Sequence, residues 1–300
     1  MTPFGLCSVL DAAGTVHLAV WRDQRIVELA TILGPVPASM DELLGDFARW
    51  TDLVADTLAD TVAGELAWRD EREVRFLPPV PRPSAIYCAG ANYFDHLAEM
   101  GATGVNKADL SPFHFLTAPS AMTGHRGTVR RPAGCVKLDW EVELAAVIGR
   151  PADHVTESDA LDVVAGYTIA NDVSARDYLD RRNPALGIDW LRHKSYATLL
   201  PIGPCLVPAR FVPDPQDLTI ELSVNGQTKQ HANTAGMVFG LAEQIAALSE
   251  VTTLLPGDLI LTGTPAGTAV AHGHYLRPGD LMEARISGLG TLANAVESGD

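Results

Sequence analysis

The sequence of 300 residues predicts an α+β fold in which short strands outnumber helices. Apolar segments of strand length recur along the chain and are separated by Gly, Pro and Asn, which are typical of turns. Two stretches instead carry apolar residues at helical spacing. A proline-rich stretch, PPVPRPS at 78–84, divides the chain, because each proline fixes φ and removes a backbone donor. We therefore expect a small α+β domain at 1–77, a linker at 78–84 and a larger domain at 85–300.

The small domain should begin with strands and continue with a helix. Residues 5–33 alternate short apolar runs with the turn-like segments DAAG and RDQR. From Ser39, the stretch SMDELLGDFARWTDLVADTLAD offers an N-cap serine, early acidic residues and apolar residues at helical spacing. These features predict a helix from Ser39 onward.

The larger domain should consist mainly of strands. The pair Asn225 and Gly226 follows the alternating run LTIELSV and predicts a hairpin turn. The stretch GMVFGLAEQIAALSE at 236–250 predicts the clearest helix of this half. LLPGDLILTG and LRPGDLMEAR share a Pro-Gly-Asp-Leu turn that enters a strand, which indicates a repeated turn rather than a duplicated domain.

Composition restricts the kinds of partner. A formal net charge of -15 argues against general affinity for nucleic acid or for an anionic membrane surface, because both would repel the chain. The first residues lack a basic start with an apolar run, and no apolar stretch approaches the roughly 20 residues that span a bilayer. Four cysteines without CxxC spacing favour a reducing compartment: Cys7, Cys88, Cys135 and Cys205. We expect a cytoplasmic protein that binds a small molecule.

An unusual acidic pattern stands in KLDWEVELAAVIGR at 137–150. In an extended strand, Asp139, Glu141 and Glu143 would share one face, where like charges repel. On its own this pattern is more often a solvated strand face. However, the strand is otherwise apolar, and Asp172 ends a second apolar run, GYTIAND. Carboxylates that converge from strand ends form an oxygen-only site that suits Mg²⁺, Mn²⁺ or Ca²⁺ rather than zinc.

Five ordered motifs then resemble the fumarylacetoacetate hydrolase superfamily over the segment after the linker. They are YCAGANYFDHLAEMG (87–101), DWEVELAAVIG (139–149), GYTIANDVSARD (166–177), HKSYATLLPIGP (193–204) and GDLILTGTPAG (257–267). The resemblance implies mixed β-sheets rolled around the active site, a small α+β N-terminal domain and a homodimer. It also implies that Glu141, Glu143 and Asp172 bind Mg²⁺ or Mn²⁺. Asp139 matches no ligand, so we expect it to hydrogen-bond the site or to face water.

His96 and Glu99 form a candidate catalytic pair in FDHLAEMG. On a helical turn, residues three apart lie on one face, so Glu99 could orient the imidazole or share a water with it. A histidine near a glutamate is more often a surface pair. The resemblance to the family's His-x-x-Glu lid motif implies instead a general base, on a segment that orders over the site when substrate binds.

Two cations and one loop complete the candidate site. Arg176 and Lys194 match family positions that contact the substrate or a developing enolate. An ordinary salt bridge to the acidic cluster is the competing interpretation for both. Gly263 and Thr264 lie in TGTPAG, a loop whose glycines leave the backbone open to a ligand, and the resemblance implies that it helps to hold the substrate.

One position departs from the family pattern. Many members carry a glutamine three residues after the arginine of SARD, whereas this chain has Leu179. An apolar side chain cannot donate a hydrogen bond to a carboxylate or oxo group, so the substrate should be larger, less polar or differently oriented than a simple oxo-diacid. Tyr178, Arg181 or Arg182 could compensate.

These residues lead to a first hypothesis and several alternatives. The first is a metal-dependent hydrolase that cleaves a C–C bond of a 2,4-dioxo acid with water activated by His96. The same enolate-stabilising site could decarboxylate a β-oxo acid, isomerise a hydroxymuconate-type dienol or dehydrate a sugar acid. A non-catalytic binder of metal and oxo acid is the alternative from another class. The spacing of His272 and His274 around Gly273 favours a loop over a pair of metal ligands. No GxSxG motif or Walker loop is present, which argues against a serine hydrolase or a nucleotide-binding protein.

Overall fold

The computed structural model of the chain describes residues 3–61, 66–179 and 187–299. The N-terminal part contains strands β1 (Gly5–Leu10), β2 (Val16–Arg22) and β3 (Arg25–Glu28), helices α1 (Leu29–Leu33), α2 (Met40–Leu44) and α3 (Phe47–Asp60), and strands β4 (Arg69–Asp70) and β5 (Arg75–Phe76).

The helix predicted from Ser39 onward is in fact two helices. Ser39 caps α2 as expected, because its hydroxyl accepts the N–H of Glu42 at 3.2 Å. The helix ends at Leu44, and Asp46 then adopts an extended φ of -145° before α3 begins. Gly45, which has a low helix propensity, stands at the break. Apolar spacing did not reveal this interruption, since the apolar residues on both sides of it face the same core.

The elements of the larger part follow in chain order. They are β6 (Ile86–Ala89), α4 (Phe94–Glu99), β7 (His114–Leu116), β8 (Met122–Thr123), β9 (Val129–Arg131), β10 (Leu138–Asp139), β11 (Val142–Ile148), α5 (Glu157–Ala160), β12 (Val164–Asn171), β13 (Ser174–Ala175), α6 (Trp190–Lys194), β14 (Leu200–Pro208), β15 (Thr219–Val224), β16 (Gln227–Asn233), α7 (Leu241–Val251), β17 (Leu259–Leu261), α8 (Ala269–His272), β18 (Leu281–Ile286) and β19 (Gly290–Ser298).

The strands form mixed sheets, which confirms the predicted α+β class. The largest sheet has the order β4-β3-β2-β1-β14-β12-β11-β17-β6-β7, with β5 paired to β1 and β8 to β14. A second sheet has the order β16-β15-β18-β19-β9, and β10 pairs with β13. The N-terminal strands join the large sheet where β1 pairs with β14. The boundary at 78–84 remains a prediction.

Two local predictions meet different outcomes. The hairpin at Asn225 and Gly226 is confirmed: both residues have positive φ, as a two-residue type I′ turn between β15 and β16 requires. The helix predicted at 236–250 begins only at Leu241. Gly240 is extended, with ψ 165°, and its N–H donates to the Glu243 carboxylate at 2.7 Å, which caps the helix there.

The repeated Pro-Gly-Asp-Leu segments do adopt the same turn. The carboxylate of Asp258 accepts the N–H of Leu255 at 2.8 Å, and that of Asp280 accepts the N–H of Arg277 at 2.7 Å. In both segments the Asp carboxylate accepts the N–H of the residue three positions before it. Such a turn depends only on these few residues, so the repeat does not indicate a duplicated domain.

The centre of the large sheet positions the candidate site. Strands β11 and β12 are buried along their whole length and pair antiparallel. Antiparallel pairing brings the start of β11 next to the end of β12, so that the N–H of Asp172 donates to the carbonyl of Glu141 at 2.8 Å. Among the described residues, no helix is long and apolar enough to cross a membrane.

Candidate active site

Three buried carboxylates meet where β11 begins and β12 ends. Glu141, Glu143 and Asp172 are 6%, 1% and 1% exposed, and each offers an oxygen within 4.8 Å of the others. Within the described ranges this is the group of acidic, His and Cys side chains that could hold a metal ion. His272 and His274 do not belong to it, since His274 Nδ1 instead lies 2.7 Å from the backbone carbonyl of His272.

The three carboxylates fit a hard divalent cation. Asp172 Oδ1 is buried without a hydrogen-bond partner among the described residues. Burial raises the pKa of Glu143 well above its ordinary value, and the nearby Asp172 and Glu141 raise it further. A cation would satisfy the unpartnered oxygen and offset the repulsion, and carboxylate oxygens are the donors that Mg²⁺ and Mn²⁺ prefer.

Asp139 does not share a continuous strand with the two glutamates. The strand is broken at Trp140 and Glu141, which lie between β10 and β11. The Asp139 side chain is fully buried rather than facing water, and its carboxylate accepts hydrogen bonds from Arg176 Nε at 2.9 Å and from the N–H of Ala269 at 2.6 Å. Burial raises the pKa of Asp139, and Arg176 opposes that shift.

Both predicted cations are paired to the acidic cluster. Lys194 Nζ donates to Glu141 Oε2 at 2.6 Å, to Asp172 Oδ2 at 2.7 Å and to the Asp172 carbonyl at 3.0 Å, so its three donors all have partners. Arg176 donates through Nη2 to Glu141. Burial would raise the pKa of Glu141, but Lys194 and Arg176 outweigh burial and lower it. The salt-bridge interpretation therefore describes both cations, although both also line the cavity described below.

His96 and Glu99 form a fixed pair on α4. His96 Nδ1 lies 2.8 Å from Glu99 Oε2, while Glu99 also accepts the N–H of Gly267 at 2.8 Å and the hydroxyl of Thr268 at 3.1 Å. Burial would raise the pKa of Glu99, but the hydrogen bonds with His96 and Gly267 outweigh it and hold the pKa below its ordinary value. An ionised Glu99 selects the tautomer in which Nδ1 carries the proton, which leaves Nε2 as the basic nitrogen.

One cavity brings these groups together. It measures about 300 Å³ and is lined by His96, the three carboxylates, Arg176, Lys194 and Thr264. Its remaining wall is mainly apolar and includes Leu97, Met100, Leu110, Phe113, Phe115 and Trp190. The lining therefore combines a few charged and polar groups with a mainly apolar wall, which is usual for a small-molecule site.

The TGTPAG loop is held tightly against the acidic cluster. Gly263 has φ 92° and donates its N–H to Glu143 Oε2 at 2.7 Å. Thr264 Oγ1 donates to the carbonyl of Val142 at 2.9 Å and accepts from Gln230 Nε2 at 2.8 Å. Because its only hydroxyl proton is used, the Thr264 side chain can only accept from a ligand. Sequence reasoning missed Gln230, which lies on β16 outside the motifs.

Of the residues that could compensate for the missing family glutamine, the structure describes only Tyr178. Tyr178 does not line the cavity, and its hydroxyl donates to the carbonyl of Ala133 at 2.7 Å. Leu179 does not line it either. Arg181 and Arg182 lie outside the described residues. The predicted substrate contact of Tyr178 is therefore not supported.

His193 is a second residue that the sequence pattern did not single out, because nothing in its spacing distinguishes it from the neighbouring Lys194. It is fully buried, and neither ring nitrogen has a hydrogen-bond partner among the described residues. Burial, followed by the charges of Lys194 and Arg176, lowers the pKa of His193 from 6.5 to about 3.

This burial predicts a pH-dependent stability. A lowered folded-state pKa means that the unfolded chain binds the extra proton between pH 6.5 and about 3, so stability falls as pH falls through that range. The free energy of unfolding should therefore fall between pH 7 and pH 5, and replacing His193 with Phe should make this fall smaller by about 2 kcal/mol. Urea unfolding at both pH values measures it, and an unchanged pH dependence would show that His193 is not held neutral.

The fold and site define a mixed-sheet protein with a buried oxygen-donor site for a divalent cation beside a His–Glu pair. The chain belongs to the fumarylacetoacetate hydrolase family: the model "Fumarylacetoacetate (FAA) hydrolase C-terminal" matches residues 85–297. The family resemblance predicted from the five motifs is thereby confirmed.

Relatives with different activities share this fold. The human mitochondrial oxaloacetate tautomerase FAHD2A is 41% identical over 237 residues, which cover 78% of this chain and 73% of that protein. The maleylpyruvate hydrolase of Sphingobium sp. SYK-6, solved with manganese(II) and pyruvate, is 28% identical, with a TM-score of 0.78 and coverage of 99% and 100%. The 2-hydroxyhepta-2,4-diene-1,7-dioate isomerase of Mycobacterium marinum is 31% identical, with a TM-score of 0.72 and coverage of 99% of each chain.

Proposed function

We propose that this chain is a divalent-metal-dependent hydrolase that cleaves the C–C bond of a 2,4-dioxo acid, an acylpyruvate. The observation that carries the proposal is the shared cavity, in which His96, held by Glu99, faces the same space as Glu141, Glu143 and Asp172. Mg²⁺ or Mn²⁺ held by these three carboxylates would supply Lewis acidity toward the carboxylate and 2-oxo oxygens of the substrate.

His96 supplies the base for this reaction. With Nδ1 bound to Glu99, Nε2 takes a proton from water, and the hydroxide adds to the distal carbonyl carbon. The adduct then breaks the bond between that carbon and the methylene carbon, which keeps the electron pair as an enolate. The proton returns from His96 to this carbon, so one water is consumed and the products are a carboxylic acid and pyruvate.

Lys194 acts on the developing charge through its electric field rather than through a free hydrogen-bond donor. All three N–H groups of Lys194 are already engaged by Glu141 and Asp172. Its ammonium group is nevertheless buried at the cavity wall, where a fixed positive charge stabilises an enolate by a few kcal/mol.

The apolar wall of the cavity favours an acyl substituent larger than a methyl group. Phe113, Phe115 and Trp190 form a joined aromatic wall, with the rings of Phe115 and Trp190 stacked at 4.6 Å. His114 and Gln244 also line the cavity and add polar atoms. Leu179 does not line the cavity, so this preference depends on the aromatic wall alone.

A second candidate is a keto–enol tautomerase of oxaloacetate or a dienoate isomerase. The 41% identity to a human oxaloacetate tautomerase and the 31% identity to a solved dienoate isomerase support it. Both activities need the same base and the same enolate stabilisation, but they move a proton without breaking a C–C bond.

A substrate panel with Mg²⁺ or Mn²⁺ separates the two candidates. Hydrolysis should bleach the ultraviolet absorbance of enolised acylpyruvates and release one carboxylic acid per pyruvate. Tautomerisation should accelerate the keto–enol equilibration of oxaloacetate without product release. Equilibration of oxaloacetate with no acylpyruvate cleavage would overturn the hydrolase proposal, and thermal stabilisation by ligands without turnover of either kind would favour a non-catalytic binder.

A further inference from the structure

The backbone at Gly267 is fixed from several sides. Its φ is 101°, and a Cβ built on it would lie 2.2 Å from the carbonyl oxygen of Lys229, so only glycine fits. Its N–H donates to Glu99 at 2.8 Å, and its carbonyl accepts the indole N–H of Trp140 at 2.9 Å. Gly267 therefore links Glu99 to Trp140: the peptide group before it bonds Glu99, and the peptide group after it bonds Trp140.

Trp140 belongs to the segment that also carries the metal ligands. It directly precedes Glu141 and follows Asp139, whose carboxylate accepts the N–H of Ala269 at 2.6 Å. Residues 267–269 are thus attached to 139–140 on one side and to Glu99 on the other. Trp140 is 2% exposed and does not line the cavity, so it does not touch a substrate there.

We propose that Trp140 is a positioning residue for the Glu99–His96 pair. Its indole holds the Gly267 carbonyl, which fixes the peptide units that present the Gly267 N–H and the Thr268 hydroxyl to Glu99. A correctly placed Glu99 then keeps His96 Nε2 directed at the space beside the three carboxylates. Trp140 in this way fixes the position of His96 relative to the three carboxylates. This role rests on the function proposed above.

In this proposal Trp140 affects His96 only through Glu99. Replacing Trp140 with Phe keeps most of the buried ring and removes the N–H donor. We expect kcat to fall about five- to tenfold, the effect of losing one buried hydrogen bond, while KM and the Kd for Mn²⁺ stay within about twofold. In a Glu99→Gln background the same replacement should cost less than about twofold, because the path to His96 is already interrupted.

A matched control replaces Trp21 with Phe. The Trp21 indole also donates to a protein acceptor, Glu71 Oε2 at 2.7 Å, but neither residue lines the cavity. This control should lower thermal stability without lowering kcat. If Trp140→Phe and Glu99→Gln instead reduce kcat additively, Trp140 is only a packing residue and the inference is wrong.

A spectroscopic readout tests the inference independently of turnover. In ¹⁵N-histidine spectra of the metal-loaded protein, His96 should show the Nδ1–H tautomer, and Trp140→Phe should lower its fraction; an unchanged tautomer fraction would overturn the positioning role. If the protein turns over no substrate of the panel, the proposed function fails while this measurement still decides the inference. Should Trp140→Phe not fold, Thr268→Val takes its place in the cycle, because it removes the hydroxyl through which the segment held by Trp140 donates to Glu99 at 3.1 Å.

Discussion

Replacing Glu143 with Gln should raise the Kd for Mn²⁺ at least about 100-fold and abolish turnover. The amide keeps the shape of the side chain and can still accept the N–H of Gly263, so the fold around it should persist. What disappears is one negative charge of the acidic cluster, and loss even of partners outside the ligand set typically costs about 10- to 100-fold in metal affinity. Isothermal calorimetry with Mn²⁺ measures the change directly.

The same replacement should act on stability in the opposite direction when chelator is present. Burial and the charges of Asp172 and Glu141 raise the pKa of Glu143, so its ionised form is unfavourable in the folded chain. In EDTA at pH 8, Glu143→Gln should therefore match or exceed the wild-type Tm, whereas added Mn²⁺ should raise only the wild-type value. Glu250→Gln, the same change at an exposed helical position, is the control. Wild-type Mn²⁺ affinity in Glu143→Gln would refute the ligand assignment.

The acidic cluster was predictable because its signal is local. Alternating carboxylates in an otherwise apolar strand leave few physical explanations, and Asp172 ends a second strand of the same kind. The single-face pattern was nevertheless too simple. The strand is interrupted at Trp140 and Glu141. The Asp139 carboxylate therefore accepts hydrogen bonds from Arg176 and from the N–H of Ala269 instead of facing a cation.

The residues that sequence reasoning missed act over long distances in the chain. Gln230 binds Val142 from 88 residues away, and Trp140 binds Gly267 from 127 residues away. Each bond joins a side chain to a backbone group, which any residue type offers. No spacing or composition can therefore indicate such a bond before the sheets are assembled.

The fold was predictable to the level of class and less so in its boundaries. Turn chemistry located the hairpin at Asn225 and Gly226, because the type I′ turn demands residues that tolerate positive φ. Helix boundaries at Asp46 and Gly240 depended on capping and backbone geometry, which the apolar spacing does not contain. The joining of the N-terminal strands to β14 is a long-range pairing with no local signature.

Replacing His96 with Asn should lower kcat for acylpyruvate cleavage by about 10²- to 10⁴-fold, the usual contribution of a general base. The shorter amide can still donate toward Glu99, but it offers no basic nitrogen at the position of Nε2. Because the three carboxylates are unchanged, the Kd for Mn²⁺ should stay within about threefold. Initial rates from the decay of acylpyruvate absorbance measure the loss.

A second reaction separates the role of the base from that of the cation site. Decarboxylation of oxaloacetate needs a site that accepts the developing enolate but no activated water, so His96→Asn should retain a large part of it while losing hydrolysis. Glu143→Gln should lose both reactions, since it removes the charge that holds the cation. If His96→Asn loses the two reactions equally with Mn²⁺ still bound, His96 serves the enolate and not the water. The C–C hydrolase would then give way to proton transfer of the tautomerase kind.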